Sequence, residues 1–441
     1  MPQATFSFPN GFLWGTATAA HQVEGNNTNN DWADWEAEPS RIKDNHRSGL
    51  ACDWWNGRWK EDFDLAIADG QNAHRFSIEW SRIQPAPDQW NDDALETYRS
   101  MLSYLCRRGI TPMVTLHHFT NPRWLADQGG WESNETPDLF AEFARRLVDA
   151  LKDYVTLWIT INEPNVYTYN AYLDGVFPPG KRDINSAIQV IGNLVRGHAK
   201  AYKIIHKIQP EARVGVAHHY RSFQPARPWF PLDRLVTKVQ HKVFNDLFPH
   251  ALKTGILDFV YKKEAVPEAL NTQDFFGINY YTGDLVSFCF SVKSFFSRRT
   301  YRKGSYLSET GFIAHYPEGM AEAVRWANQF GLPMIITENG IEDSQDTVRP
   351  TYILDHLHQL WRMINNNILV KGYFYWTLVD NFEWERGWTQ RFGLWELDTV
   401  TQRRIRRPSA DLYAAICKEN SFSSAMIKKY APEIVQKLLP E

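Results

Sequence analysis

Short apolar segments that end on polar residues recur along the chain. In the stretch VTLWITINEP (155–164), the apolar run WITI is followed by Asn162 and Glu163, and Pro164 then removes a backbone donor from any continuing ladder. Segments of this kind predict strands buried on both faces. Eight of them occur in the sequence, at 12–18, 73–80, 110–119, 155–164, 212–220, 274–281, 332–340 and 370–381.

The segments between these strands carry helical periodicity. In 137–154, Leu139, Phe143 and Leu147 recur on one face at helical spacing, and 187–207 repeats the pattern. Buried strands that alternate with amphipathic helices predict a parallel sheet. Eight such units predict an α/β fold, a single-domain (β/α)8 barrel over residues 1–441.

In this fold the polar residues at the strand ends are candidate active-site residues, because the active site of such a barrel lies at the C-terminal ends of its strands. For any one of these residues a structural role is an equally good explanation. Taken together, they indicate a shared pocket. The residues are His117, His118, Asn162, Glu163, Asn279, Tyr281, Glu338 and Trp376.

Charge and composition narrow the classes of function. The net charge is −3, which gives no reason to expect nucleic-acid binding, and the basic runs at 298–303 and 403–407 are interpreted as solvated surface. The chain contains 18 Trp, 19 Tyr and 26 Phe. Aromatic side chains in such numbers suit both core packing and a pocket that stacks sugar rings.

The sequence also bears on cellular location and on metal binding. The four cysteines are far apart and form no CxxC pair, which fits reduced thiols in a cytoplasmic enzyme. No signal peptide is visible, and no apolar run approaches the roughly 18 residues of a membrane span. Because His117 and His118 are adjacent on a strand, they point to opposite sides, so we expect no metal site. No cofactor is expected.

Glu163 and Glu338 end the fourth and seventh predicted strands and can face each other across the barrel mouth. Two carboxyl groups in an aromatic pocket suit the hydrolysis of glycosides. One group must be a protonated acid at the leaving oxygen, and the other must be an ionised nucleophile. A cationic neighbour at one of them would separate their titrations.

Seven motifs, in order along nearly the whole chain, resemble those of the glycoside hydrolase family 1 β-glycosidases. The motifs are FPNGFLWGTATAAHQVEG (8–25), RFSIEWSRI (75–83), TINEPN (160–165), GINYYTG (277–283), YPEGM (316–320), ITENG (336–340) and GYFYWTLVDNFEWERGWTQRFGLWELD (372–398).

This resemblance implies a retaining exo-β-glycosidase with Glu163 as general acid/base and Glu338 as nucleophile. It implies that Arg75, Tyr281 and Asn279 support the nucleophile. It also implies carboxyl groups about 5–5.5 Å apart, as in retaining enzymes. The residues expected to bind the sugar are Gln22, His118, Asn162, Trp376, Glu383 and Trp384.

The substrate class follows from Glu383 and Trp384, which family members that act on unphosphorylated sugars carry. A carboxylate at Glu383 would repel a 6-phosphate and accept hydrogen bonds from neutral hydroxyls. We therefore expect a neutral β-glucoside as the substrate, with galactosides and fucosides also plausible. Glu163 argues against a thioglucosidase, because thioglucosidases carry Gln at this position.

Two departures from the family pattern stand out. Phe119 replaces the usual Trp after His118, which we expect to loosen contacts around the pocket. The segment 285–303 is an atypical apolar and basic insertion. It is interpreted either as an unusual element packed on the barrel or as an apolar lip for a lipid-like aglycone or a membrane surface.

Three alternatives to a simple β-glucosidase remain open. A transglycosylase would use the same residues and differ only in whether a sugar hydroxyl or water reaches the intermediate. A glycolipid-directed β-glucosidase would use the 285–303 lip for peripheral lipid contact, without an integral membrane segment. A non-catalytic sugar-binding barrel is disfavoured by the presence of both glutamates. The oligomeric state cannot be predicted from the sequence.

Overall fold

The computed structural model describes residues 4–291 and 294–439. Within these ranges, eight parallel strands form one closed barrel, in which β8 pairs with β1 and β5 pairs with β6. This confirms the predicted (β/α)8 fold. The strands are β1 (Leu13–Ala17), β2 (Ala73–Ser77), β3 (Thr111–His117), β4 (Leu157–Asn162), β5 (Arg213–Pro225), β6 (Phe275–Phe288), β7 (Met334–Asn339) and β8 (Val370–Trp376).

Each barrel strand is followed by one of the longer helices, except β5, which is followed by two. The longer helices are α1 (Trp59–Ala68), α2 (Asp92–Arg107), α3 (Thr136–Leu151), α4 (Ile184–Ile208), α5 (Pro231–Gln240), α6 (Leu247–Thr254), α7 (Glu318–Asn328), α8 (Arg349–Asn365) and α9 (Pro408–Glu419).

Short helices and short antiparallel strand pairs complete the structure around the barrel. The short helices are Ala20–Val23, Asp31–Ala37, Trp80–Ile83, Arg123–Asp127, Pro164–Tyr169, Ser424–Tyr430 and Val435–Leu438. The antiparallel pairs are Thr5–Ser7 with Ser421–Ser423, Ile256–Asp258 with Lys263–Ala265, and Trp395–Leu397 with Arg404–Arg406.

The hydrophobic core fills the layer between the barrel and its helices. In α3, Phe140, Phe143 and Leu147 are buried, as the helical spacing of the apolar positions predicts. Burying each such side chain stabilises the fold by about 1.5–3 kcal/mol. The same face of α3 packs on Trp80, whose ring stacks on Phe143 at a centroid distance of 4.8 Å.

The segment 285–303 extends the barrel instead of forming a separate unit. β6 continues to Phe288 and pairs antiparallel with the strand Ser297–Thr300, which makes a hairpin at the barrel mouth. Residues 292 and 293 lie outside the described part of the chain. The side chains of Phe290, Phe295 and Phe296 in this hairpin are exposed.

Candidate active site

Glu163 lies at the point where β4 ends and the helix Pro164–Tyr169 begins. Its backbone is left-handed, with φ 44° and ψ 59°, and its amide donates to the carbonyl of Ala217 at 2.8 Å. A non-glycine residue in this conformation costs about 1–3 kcal/mol, which the surrounding structure must offset. The turn directs the carboxyl group into the barrel mouth, where it is buried.

Glu338 is the penultimate residue of β7 and is also buried. The ends of β7 and β8 approach closely here, because a Cβ added at Gly340 would lie 2.0 Å from the carbonyl oxygen of Trp376. Only glycine fits at this position. The close approach places Glu338 next to the end of β8, which carries Trp376.

Both carboxylate oxygens of Glu338 accept hydrogen bonds. Arg75 Nη1 donates to Oε1 at 2.6 Å, and the Tyr281 hydroxyl donates to Oε2 at 2.6 Å. The Arg75 side chain is fully buried and donates further to Thr115 Oγ1, to the Thr337 carbonyl and to Asn162 Oδ1. A guanidinium fixed on several sides is a rigid support for a buried carboxylate.

Glu163 is held differently. His219 Nδ1 and Asn279 Nδ2 both contact its Oε1, at 2.7 and 2.9 Å. Oε2 accepts no hydrogen bond from the described residues. Oε2 is therefore the oxygen that is free to pass a proton to a ligand.

The placement of Asn279 corrects the expectation that it supports Glu338. Its Oδ1 accepts a hydrogen bond from Thr337 Oγ1 at 2.7 Å, which turns its amide nitrogen towards β4. There the nitrogen donates to Asn162 Oδ1 at 3.1 Å and to Glu163. Asn279 thus contacts the other carboxyl group of the pair.

The hydrogen bonds of Asn162 fix the tautomer of His118. Because Asn162 Oδ1 accepts from Arg75 and Asn279, its Nδ2 must be the donor to His118 Nε2 at 3.0 Å. Burial, together with Arg75 and His117, lowers the pKa of His118 well below its usual value, so the ring is neutral. Its Nδ1 carries the proton and has no partner among the described residues.

Gln22 and Glu383 form a second polar group at the mouth. Gln22 Nε2 donates to the Phe382 carbonyl at 2.8 Å and to Glu383 Oε2 at 3.2 Å, which leaves Gln22 Oε1 buried without a partner in the described chain. Buried polar atoms without partners are costly. Those of Gln22 and His118 indicate that hydroxyl groups of a ligand belong here.

Aromatic rings line the same region. His118 stacks between Trp376 and Trp384, each at a centroid distance of 5.9 Å. Phe119 was expected to loosen this wall, but it is buried and packs on Trp384 at 5.1 Å and on Phe177 at 5.3 Å. The phenyl ring therefore fills the space and keeps the wall closed.

The pKa of Glu338 is raised to about 7. Burial is the largest cause, and the nearby Glu163 charge adds to it, whereas Arg75 and the Tyr281 hydroxyl act in the opposite direction. The cationic neighbour expected from the sequence is present but does not outweigh burial. Since the two carboxyl groups interact, the titration belongs to the pair.

The pKa of Glu383 is raised well above its usual range. Burial is the main cause, and the charge of Glu385 adds to it. This shift favours the neutral acid, whereas the sequence-based expectation took Glu383 as a carboxylate. The charges of Glu338 and Glu342 raise this pKa further, and a hydrogen bond from Trp376 lowers it.

His219 is the site residue that the sequence analysis missed. It follows His218 on β5, and the two side chains point to opposite sides of the strand. His218 Nε2 contacts Gln273, whereas His219 contacts Glu163 and stacks on Tyr281 at 5.9 Å. The signal was its position near the barrel end of a predicted strand, but the sequence does not show which of two adjacent histidines faces the mouth.

Enzymes that cleave glycosidic bonds place two carboxyl groups on either side of the bond. A barrel that brings two buried glutamates to one mouth, beside tryptophan rings and unpartnered polar atoms, is by class a glycoside hydrolase. Among residues 4–291 and 294–439, no cluster of His, Cys, Asp or Glu side chains could hold a metal ion.

Comparisons with known proteins agree with this class. The family described as "Glycosyl hydrolase family 1" matches residues 4–422. Beta-glucosidase A of Thermotoga maritima is 35% identical, over 94% of this chain and 98% of the relative. A beta-galactosidase of Pyrococcus woesei is 30% identical, over 97% of this chain and all of the relative.

A solved structure is equally similar. The beta-glycosidase from Pyrococcus horikoshii superposes with a TM-score of 0.90 and 36% sequence identity, covering 97% of this chain and 98% of the other. The chain therefore belongs to glycosyl hydrolase family 1, and it is a β-glycosidase. This confirms the family and the class of enzyme predicted from the motifs.

Proposed function

We propose that this enzyme is a retaining exo-β-glycosidase that hydrolyses neutral β-glucosides by double displacement. The observation that carries the proposal is the unequal support of the two glutamates. Arg75 and Tyr281 donate to both oxygens of Glu338, whereas the hydrogen bonds to Glu163 end on Oε1 alone. Arg75 and Tyr281 therefore stabilise negative charge on Glu338, whereas Glu163 keeps Oε2 free to pass a proton to the leaving oxygen.

In the first step, a Glu338 oxygen attacks the anomeric carbon while Glu163 gives its proton to the leaving oxygen. The sugar becomes an ester of Glu338 and the aglycone leaves as an alcohol. Asn162, which is fixed between Arg75, Asn279 and His118, lies beside both glutamates and is assigned to the 2-hydroxyl. Hydrogen bonds to that hydroxyl strengthen in the transition state.

In the second step, water replaces the aglycone. Esterification of Glu338 removes a negative charge from the pair, which makes Glu163 a carboxylate able to accept a proton from water. The activated water attacks the anomeric carbon from the side that the aglycone left. Two inversions give a product with the anomeric configuration of the substrate.

Gln22, His118, Glu383, Trp376 and Trp384 are assigned to the remaining hydroxyls and to the sugar face. The unpartnered Gln22 Oε1 and His118 Nδ1 provide one acceptor and one donor. A neutral Glu383 provides both, and Trp376 provides a stacking surface. Such a set favours uncharged sugars, with glucose first and with galactosides and fucosides as further substrates.

The test is a panel of aryl β-glycosides and disaccharides, with the anomer of the first product followed by NMR. We expect the largest kcat/KM for β-glucosides and the β-anomer of glucose as the first product. An α-anomer formed first would show inversion and contradict the proposal. Product analysis at high substrate concentration measures transfer to sugar hydroxyls, and we expect hydrolysis to dominate.

A second proposal concerns peripheral contact with lipid. Exposed apolar side chains form a stripe along α5 and on the 285–303 hairpin that packs against it, and the exposed Arg234 and Lys238 lie on the same helix. No helix in the described part of the chain is long and apolar enough to cross a membrane. The stripe consists of Trp229, Leu232, Leu235, Val239, Val243, Phe290, Phe295 and Phe296, with Phe290 92% and Trp229 76% exposed.

Exposed aromatic rings beside basic side chains suit the surface of an anionic bilayer on the cytoplasmic side. The stripe adjoins the barrel mouth, so a bound enzyme would present its pocket to glycolipid head groups. We expect sedimentation with anionic vesicles and a kcat/KM that rises with the chain length of alkyl glucosides. The double substitution Trp229→Ser and Phe290→Ser should abolish both effects. Absence of both effects in the wild-type enzyme would refute this proposal.

A further inference from the structure

Arg299 lies among three aromatic rings at the barrel mouth. It belongs to the strand Ser297–Thr300, which pairs with the extended end of β6. Its guanidinium carbon is 5.0 Å from the ring centre of Phe223, 5.5 Å from that of Tyr169 and 6.0 Å from that of Phe244. The rings hold the planar group in place without neutralising its charge.

No carboxylate among the described residues forms an ion pair with Arg299. The one hydrogen bond of its side chain within them runs from Nε to Gln240 Oε1, at 3.0 Å. The nearby Asp284 is already bound by Arg221 through two hydrogen bonds, of 2.6 and 2.9 Å. Burial and the charge of Arg221 lower the pKa of Arg299, which is the reverse of the effect that a bound anion would have.

The ring cage adjoins the proposed acid/base. Phe244 meets His219 edge to face at 5.8 Å, and His219 contacts Glu163 Oε1. Asn165 Nδ2 donates to the carbonyl oxygens of both His219 and Phe244, which ties the two segments together. Since Glu163 protonates the leaving oxygen, the aglycone departs on this side of the pocket.

We propose that Arg299 and the rings around it form an aglycone subsite for glycosides whose aglycone carries a carboxylate. The inference rests on the proposed function, because it places the aglycone on the side of Glu163. Arg299 Nη1 and Nη2 offer the fork that a carboxylate binds in a bidentate manner. Phe223 and Phe244 add apolar surface for the body of the aglycone.

The experiment compares 4-carboxyphenyl and 4-carbamoylphenyl β-glucosides, which have similar shapes and differ in charge. The quantity measured is the ratio of their kcat/KM values in the wild type, Arg299→Gln and Arg298→Gln. Arg298 precedes Arg299 on the same strand, is exposed and serves as the matched control. Comparing ratios between variants cancels the difference between the two leaving groups.

We expect Arg299→Gln to lower the carboxyl-to-amide ratio by roughly tenfold or more, as for a lost hydrogen bond to a charged group. Arg298→Gln should leave the ratio within about twofold of the wild type. Arg299→Lys keeps the charge but loses the fork, so its ratio should lie between those of the wild type and Arg299→Gln. Added salt should reduce the wild-type ratio.

Equal losses for both substrates in Arg299→Gln would show that Arg299 only packs the hairpin, and would overturn the subsite. An unchanged ratio would do the same. If Arg299→Gln fails to fold, a wild-type ratio that does not respond to salt refutes the subsite. Failure of the wild type to hydrolyse either glucoside would instead refute the proposed function, so the two failures can be told apart.

Discussion

The energetic cost of ionising the buried Glu338 can be measured from the pH dependence of the free energy of unfolding. Its pKa is about 7 in the folded protein and 4.5 in its ordinary state, because burial outweighs Arg75. Between these two values the folded state binds more protons than the unfolded state. The contribution of Glu338 to the free energy of unfolding must therefore fall as the pH rises from 4.5 to 7.

Glu338→Gln removes this titration, because the amide resembles the protonated acid and does not ionise. The pKa difference corresponds to about 3 kcal/mol, at roughly 1.4 kcal/mol per unit. The stability of Glu338→Gln minus that of the wild type should thus rise by about 3 kcal/mol between pH 4.5 and 8, mostly below pH 7. Any constant cost of leaving Arg75 without an anion cancels in this pH dependence.

The assay is urea unfolding followed by tryptophan fluorescence at pH 5, 6, 7 and 8. Glu163→Gln is an informative third variant, because removing the neighbouring charge lowers the pKa of Glu338 and should make the pH dependence of stability shallower. Glu419→Gln, at the exposed end of α9, controls for the loss of a carboxyl group. A stability difference between Glu338→Gln and the wild type that does not change with pH would refute the reasoning.

Three further predictions concern catalysis. Glu163→Gln should lower kcat/KM for alkyl glucosides by roughly 10²–10⁴-fold, and far less for 2,4-dinitrophenyl glucoside, whose leaving group needs no proton. Equal losses for the two substrates would contradict the role of Glu163 as the acid. His219→Phe keeps an aromatic ring against Tyr281 but removes the contact with Glu163. It should lower kcat/KM for alkyl glucosides by roughly tenfold, and less for 2,4-dinitrophenyl glucoside. An effect independent of the leaving group would contradict this role of His219. Glu383→Gln resembles the neutral acid and should retain more activity than Glu383→Ala at pH 7; the reverse order would show that Glu383 binds sugar as a carboxylate.

The barrel could be predicted from the sequence because its strands are apolar throughout and its helices are periodic. The predicted strand boundaries were less accurate where the apolar pattern and the strand pairing end at different residues. The eighth strand was predicted to reach residue 381 but ends at Trp376, since Leu378 and Val379 are buried in a loop instead of a ladder. Conversely, β5 and β6 run five and seven residues past their predicted ends, 220 and 281, because they pair with each other beyond the barrel.

The candidate site was predictable as far as motifs and strand ends reach. The contacts that orient the site's side chains could not be predicted. Asn279 was assigned to Glu338, but a hydrogen bond from Thr337 turns it to Glu163, and that orientation depends on a contact between two strands. The pKa of Glu383 likewise depends on burial by distant segments. The cage around Arg299 joins four segments that nothing in the sequence brings together.

The most direct test of the account is to trap the glycosyl-enzyme. A 2-deoxy-2-fluoro-β-glucoside with a good leaving group slows the second step more than the first, so the ester should accumulate. We expect the intact mass to increase by one fluoroglucosyl group, and peptide mapping to place that group on Glu338. A label on another residue, or inactivation without any covalent adduct, would contradict the central claim that Glu338 is the nucleophile.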